Sequence, residues 1–90
     1  MNIIWDPNKA STNLSKHQVR FSDAEAVLFD PYAMTFEDTA SEVEQRHISI
    51  GLDSLGRVLV VIFTYRGEVI RLISARKATK KEIRQYETRI

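Results

Sequence analysis

The sequence predicts one α+β domain spanning residues 1–90, with an antiparallel sheet of about four to five strands and helices packed on one face. Three observations predict it. Between Tyr32 and Ser74, four short stretches alternate apolar with polar residues or run apolar, as half-buried and buried strands do. The joins between these four stretches are hairpin-length, which makes them an antiparallel meander. Helix-start signals lie on both sides of this region: Asp6-Pro7, Ser22 with Glu25, and Thr79 with Glu82. The expected order is β-α-α-β-β-β-β-α.

Each element has its own justification. Ile3 to Trp5 is a short apolar start. Asp6 caps a helix that has Pro7 at its first position, where a missing N–H costs nothing. That helix runs to about Lys16, with Ala10, Asn13 and Leu14 at helical spacing. Ser22 and Glu25 form a capping box for a second helix, stopped by Asp30-Pro31. Tyr32, Met34 and Phe36 then alternate with polar partners as a strand. Asp38 to Glu44 is acidic and reads as a loop. From Arg46 to Leu52, Ile48, Ile50 and Leu52 share one face while His47, Ser49 and Gly51 share the other. Asp53 to Gly56 is a turn, and Arg57 to Tyr65 is the strongest strand. Arg66-Gly67-Glu68 turns into Val69 to Ser74, which puts Ile70, Leu72 and Ser74 on one face and Arg71 on the other. Arg76 falls beyond this strand. Thr79 and Glu82 form a capping box for a last helix, Lys80 to about Arg89, with Ile83 and Tyr86 on its apolar side. Three short helices cover one face of the sheet and leave the other open.

Composition narrows the function classes. The chain is 43% hydrophobic and 28% charged with only 3 Gly and 2 Pro, which excludes disorder and fibrous structure. It has no Cys, so disulfides, thiolate metal sites and cysteine nucleophiles are all excluded. The longest apolar run, Val58 to Phe63, is far short of the roughly 20 residues of a membrane span. The start lacks the basic and hydrophobic regions of a signal peptide, so a soluble cytoplasmic protein with no membrane contact is expected. The net charge of +1 hides an asymmetry. Residues 1–45 hold three Lys or Arg against eight Asp or Glu, and residues 46–90 hold ten against four. Such a split suits one face for a polyanion and another for a basic partner, unless the fold interleaves the halves.

Arg57, Arg66, Arg71 and Arg76, followed by Lys77, Lys80, Lys81, Arg84 and Arg89, form a basic array through the C-terminal half. An Arg within an apolar strand needs an anion beside it. Either an ion pair with Glu44 or Glu68 or a bound phosphate meets that need; for the array as a whole, a nucleic-acid backbone is the fitting anion. Lys16-His17 at the helix exit offers a proton-transfer group or a helix C-terminus satisfied by basic side chains. His47 beside Arg46 is a surface strand residue. Tyr65 is placed to stack on a base or to pack at the rim of the core. Two His this far apart make no metal site, and no phosphate-binding glycine loop is present. Neither a metal nor a cofactor is expected.

Trp5-Asp6-Pro7-Asn8-Lys9-Ala10 with Asn13, Lys16-His17, Val19 and Phe21-Ser22-Asp23-Ala24 resembles the N-terminal signature of the BrnT toxins. Asp30-Pro31, Glu44-Gln45-Arg46, Gly51, Gly56-Arg57 and Ile70 to Arg76, with Ala78, Glu82 and Tyr86, extend the resemblance over nearly the whole chain. Gln18 departs from it, standing where the family usually has Gly. The resemblance implies a RelE-like fold and a ribonuclease toxin of a type II toxin–antitoxin module. It also implies inhibition of translation and growth, and neutralisation by a BrnA-like antitoxin with a ribbon-helix-helix domain. Operator DNA is then contacted only through the antitoxin.

A metal-free ribonuclease uses the RNA 2′-hydroxyl as nucleophile and needs a base, an acid and cations around the phosphorus. On that basis Arg71 and Arg76, with Lys16 or Arg46, are candidates for the cations and His17 for the base or acid. Ser74 or Tyr86 would orient the phosphate. Arg57, Tyr65, Lys77, Lys80 and Lys81 are candidate RNA contacts. The alternative is a non-catalytic module that binds nucleic acid or a protein partner through the same basic sheet face.

Overall fold

Asp6 ends the first strand, Asn2–Ile4 (β1), and starts the first helix, Pro7–His17 (α1), by accepting the Asn8 N–H at 2.8 Å. The computed structural model describes residues 2–90. Burial then overrides a local cap preference. Val19 and Phe21 are buried, and the second helix, Phe21–Ala24 (α2), starts at Phe21 itself with Arg20 as an uncapped N-cap. Ser22 therefore lies inside the helix rather than capping it, and the chain tightens into a 3-10 helix over Glu25–Phe29. Asp30 accepts the Tyr32 N–H and closes the turn into Met34–Asp38 (β2).

Three more strands follow, Arg46–Leu52 (β3), Val58–Arg66 (β4) and Val69–Lys77 (β5), before the last helix, Lys80–Glu87 (α3). Thr79 and Glu82 form the expected capping box of α3. The sheet order is β1-β5-β4-β3-β2. The four later strands are the antiparallel meander that their short joins predict. β1, however, pairs in parallel with β5, Ile3 opposite Ile70, so the sheet is mixed rather than purely antiparallel.

The helices also divide between the faces. Leu59, Val61, Phe63, Ile70, Leu72 and Ala75 pack with Val19, Phe21, Ala24 and Val27, on the side of α2 and the 3-10 helix. Val60 and Ile50 pack instead with Tyr86 of α3, flanked by Met34, Ile48, Val58 and Ala78. Val60 and Val61 are neighbours in one strand and point to opposite faces, so α3 lies across the sheet from α2. The helices thus cover both faces rather than the one face expected, and the cause is physical. The Val58–Phe63 run is apolar on both faces, and such a strand must be covered on both. The far face is left open only beyond α3, around Phe36, Ile62 and Arg71.

β5 also departs from the regular alternation expected of it. Phe63 pairs with Leu72 but Ile62 pairs with Ser74, so Ile73 is the extra residue of a bulge. Ser74 and Arg76 thus register with Ile62 and Val60, on the α3 side, and no longer share a face with Leu72. The strand also reaches Lys77, which places Arg76 within it.

Asn13 explains how α1 docks. β1 pairs only with Val69–Arg71 of β5, leaving the edge beyond it bare. The Asn13 amide substitutes for a strand there. It donates to the Ala75 carbonyl at 2.9 Å and accepts the Ala75 N–H at 3.0 Å, while also donating to the Val19 carbonyl at 3.0 Å. Gly51 permits a comparable close approach: a Cβ there would stand 3.0 Å from both Ala33 Cβ and Asp30 Oδ2. Asp30 Oδ2 instead receives the Leu52 N–H and the Tyr86 hydroxyl. No helix among the described residues is long and apolar enough to cross a membrane.

Candidate active site

With Asn13 fixed to β5, the turns of α1 on either side of it face the strand. Lys9, Thr12 and Lys16 recur at helical spacing and fall on the same side of the helix as Asn13. His17 is the last residue of α1. Between α1 and the β5 bulge lies a cleft of about 340 Å³ lined by Asn8, Lys9, Thr12, Asn13, Lys16, His17, Ile73 and Ser74. It brings together three of the expected site residues, Lys16, His17 and Ser74.

The backbone behind His17 is held in an unusual conformation. Gln18 is left-handed, with φ 58° and ψ 35°, and donates its N–H to the Leu14 carbonyl at 2.9 Å. It is the only non-glycine residue with positive φ among those described. Its own carbonyl accepts from Arg57 Nη1 at 3.3 Å. Arg57 is in turn held by Asp53, whose side chain is fully buried, through Nε at 2.9 Å and Nη2 at 2.7 Å. Arg57, expected at the RNA surface, is thus a clamp beneath the turn that follows His17.

Two other expected residues are also engaged within the fold. Arg76 grips Glu82 through Nη1 and Nη2 of its guanidinium, at 2.9 and 3.0 Å, tying β5 to α3. That bidentate hydrogen bond holds the Glu82 carboxyl down to about 2 and raises Arg76. Tyr86, a candidate to orient phosphate, is 1% exposed and belongs to the core on the α3 side. Burial and its hydrogen bond to Asp30 push its phenol up to about 12. Burial would raise Asp30 itself, but the Leu52 N–H, the Tyr86 hydroxyl and the Tyr32 N–H outweigh it and hold that carboxyl below its usual value.

The remaining expected residues are spread around the sheet. Arg71 is half-buried, opposite Thr64 on β4 and level with Ile4 on β1. It stands three positions before Ser74, about 10 Å away along the strand. Arg46 begins β3 and lies 3.6 Å from Glu44, an ion pair beyond hydrogen-bond length. Lys77, Lys80 and Lys81 are exposed around the start of α3. Tyr65 is exposed, its ring 5.2 Å from His47 and 5.8 Å from Phe63, edge-on to both.

Lys9 and Thr12 line the cleft and were not among the residues expected from the sequence. The available signal was the seven-residue interval from Lys9 to Lys16, two turns of one helix with Thr12 between them.

The family model for the ribonuclease toxin BrnT of type II toxin–antitoxin systems matches residues 5–82. No curated protein sequence matches the chain. Among solved structures, the ribonuclease toxin BrnT of Brucella abortus superposes with a TM-score of 0.69 and 34% sequence identity, over 89% of this chain and 99% of that one. On the family match and this structural likeness, the chain belongs to the BrnT family of ribonuclease toxins of type II toxin–antitoxin systems.

Proposed function

We propose that the cleft between α1 and β5 cleaves RNA internally and without a metal ion, with the RNA's own 2′-hydroxyl as nucleophile. The observation that carries this reading is the lining of that one cleft: two ammonium groups, an imidazole and hydroxyls, with no carboxylate among them. Such a donor set suits a phosphodiester and its developing charge better than it suits a divalent cation.

The 2′-oxygen attacks the adjacent phosphorus as the hydroxyl gives up its proton, and the bond to the 5′-oxygen breaks. A 2′,3′-cyclic phosphate and a protonated 5′-hydroxyl result. His17 is the imidazole of the cleft and serves as the base for the first proton or the acid for the second. Lys16 and Lys9 meet the charge that builds on the phosphoryl oxygens, and Ser74 hydrogen-bonds one of them. A strand leaving the cleft across the open face reaches Arg71 next.

Cleavage of this kind arrests translation and growth, and a BrnA-like antitoxin with a ribbon-helix-helix domain relieves it. The test is cleavage of an end-labelled RNA by the purified chain in excess EDTA. Undiminished cleavage with 2′,3′-cyclic phosphate ends is the expected result. Loss of cleavage in EDTA, or cutting after a 2′-deoxy nucleotide, contradicts the proposal.

A further inference from the structure

We infer that β2 is a docking strand, and that its occupant is an extended, basic segment of the antitoxin. The inference rests on the chain's membership of a toxin–antitoxin family and is independent of how the cleft works.

The sheet has two edges. On the β1 side the strand is three residues long, and Asn13 fills the edge of β5 beyond it. On the other side, Met34–Asp38 pairs with β3 over its whole length and, among the described residues, no strand pairs with its outer side. Folded proteins usually protect such an edge with charge, proline or a bulge. Met34-Thr35-Phe36-Glu37-Asp38 has no proline and no bulge, its only charges are the acidic Glu37 and Asp38, and Phe36 is 49% exposed in the middle of it. Bare backbone donors and acceptors with an apolar side chain between them suit a peptide that adds a strand.

Charge selects the occupant. From Phe21 to Gln45 the chain carries seven Asp or Glu and no Lys, Arg or His. Glu37 and Asp38 lie on the edge strand, and Glu42 and Glu44 lie in the loop that follows it. RNA is repelled by these carboxylates. A second copy of the chain brings the same carboxylates against them. The acidic residues thus guard the edge against self-pairing and against the substrate, while leaving it attractive to a basic strand. An incoming segment with Lys or Arg opposite Glu37 and Asp38, and an apolar residue against Phe36, completes both the hydrogen bonds and the charges.

Amide hydrogen exchange tests this, measured on the chain alone, with its antitoxin and with a non-cleavable RNA. The outward amides of Met34–Asp38 should slow about tenfold or more with the antitoxin and stay unchanged with RNA. Glu37→Lys should weaken antitoxin binding about tenfold, with Glu37→Gln between it and the wild type, while the RNA cleavage rate stays within about twofold. Unchanged exchange over Met34–Asp38 in the antitoxin complex overturns the inference. So does protection produced by RNA, or by raising the concentration of the chain alone. If Glu37→Lys does not fold, exchange in the unaltered chain decides. Failure of the wild type to cut RNA bears on the cleft and leaves the exchange result standing.

Discussion

A single residue, Gln18, links the catalytic proposal to backbone strain. Left-handed backbone costs a non-glycine residue roughly 1–2 kcal/mol, and Gln18 adopts it directly after His17. Arg57, anchored on Asp53, holds the Gln18 carbonyl and compensates in part. Gln18→Gly should therefore raise stability by up to about 1 kcal/mol in urea unfolding, and an unchanged or lower value contradicts the strain argument. The same residue shows what the sequence conveys and what it does not. Lys16-His17 is legible as a candidate pair because both residue types carry chemistry. The roles of Arg57 and Arg76 are not, because their partners Asp53 and Glu82 meet them only through a turn and a strand–helix join whose geometry folding decides. Tyr86 is marked apolar-side by its helical spacing, yet its hydroxyl suggests a surface task until Asp30 is found beside it.

Among the elements, α1 and α3 are each fastened to β5 by one side chain. Asn13 makes three hydrogen bonds, two of which replace a missing strand beside Ala75, and it is only 6% exposed. Asn13→Ala leaves buried backbone groups at Ala75 and Val19 without partners, each costing about 1–3 kcal/mol. A loss of about 2–4 kcal/mol is expected by chemical denaturation. A loss below about 1 kcal/mol would show that α1 docks by apolar packing alone. The α3 fastening is ionic and therefore depends on pH. Glu82 is held down to about 2, below its ordinary 4.5. A depressed carboxyl contributes its full stability above the unfolded value and loses it as pH falls through the folded one. Melting temperature should thus fall between about pH 4.5 and 2 more steeply in the wild type than in Glu82→Gln. Parallel curves exclude the Arg76–Glu82 pair as the cause.

Strand boundaries were largely readable because alternation reports directly on the sheet. Arg46–Leu52 is the observed β3 to the residue, and the four-strand meander follows from the turns. The parallel placement of β1 was not readable, since three residues of apolar sequence carry no information about direction. Nor was the bulge at Ile73, which inverts the side of Ser74 without altering the hydrophobic pattern. Placement of α3 was recoverable in principle from the continuous apolar run in β4, which needs cover on both faces.

For the molecule as a whole, charge is polarised across the sheet, although folding brings Lys9 and Lys16 of the acidic N-terminal half beside β5 of the basic half. Acidic β2 forms one edge, while β5, with α1 and its lysines alongside, lies toward the other. The polarity separates a surface suited to RNA from one suited to a basic protein. The most direct test of this account is the cleavage rate of His17→Gln, measured together with its affinity for a non-cleavable RNA of the same sequence. Proton transfer by His17 predicts cleavage slower by roughly a hundredfold or more, with RNA affinity within about twofold of the wild type. Equal losses in cleavage and affinity, or full activity, would contradict it and return His17 to the role of a helix-terminal residue.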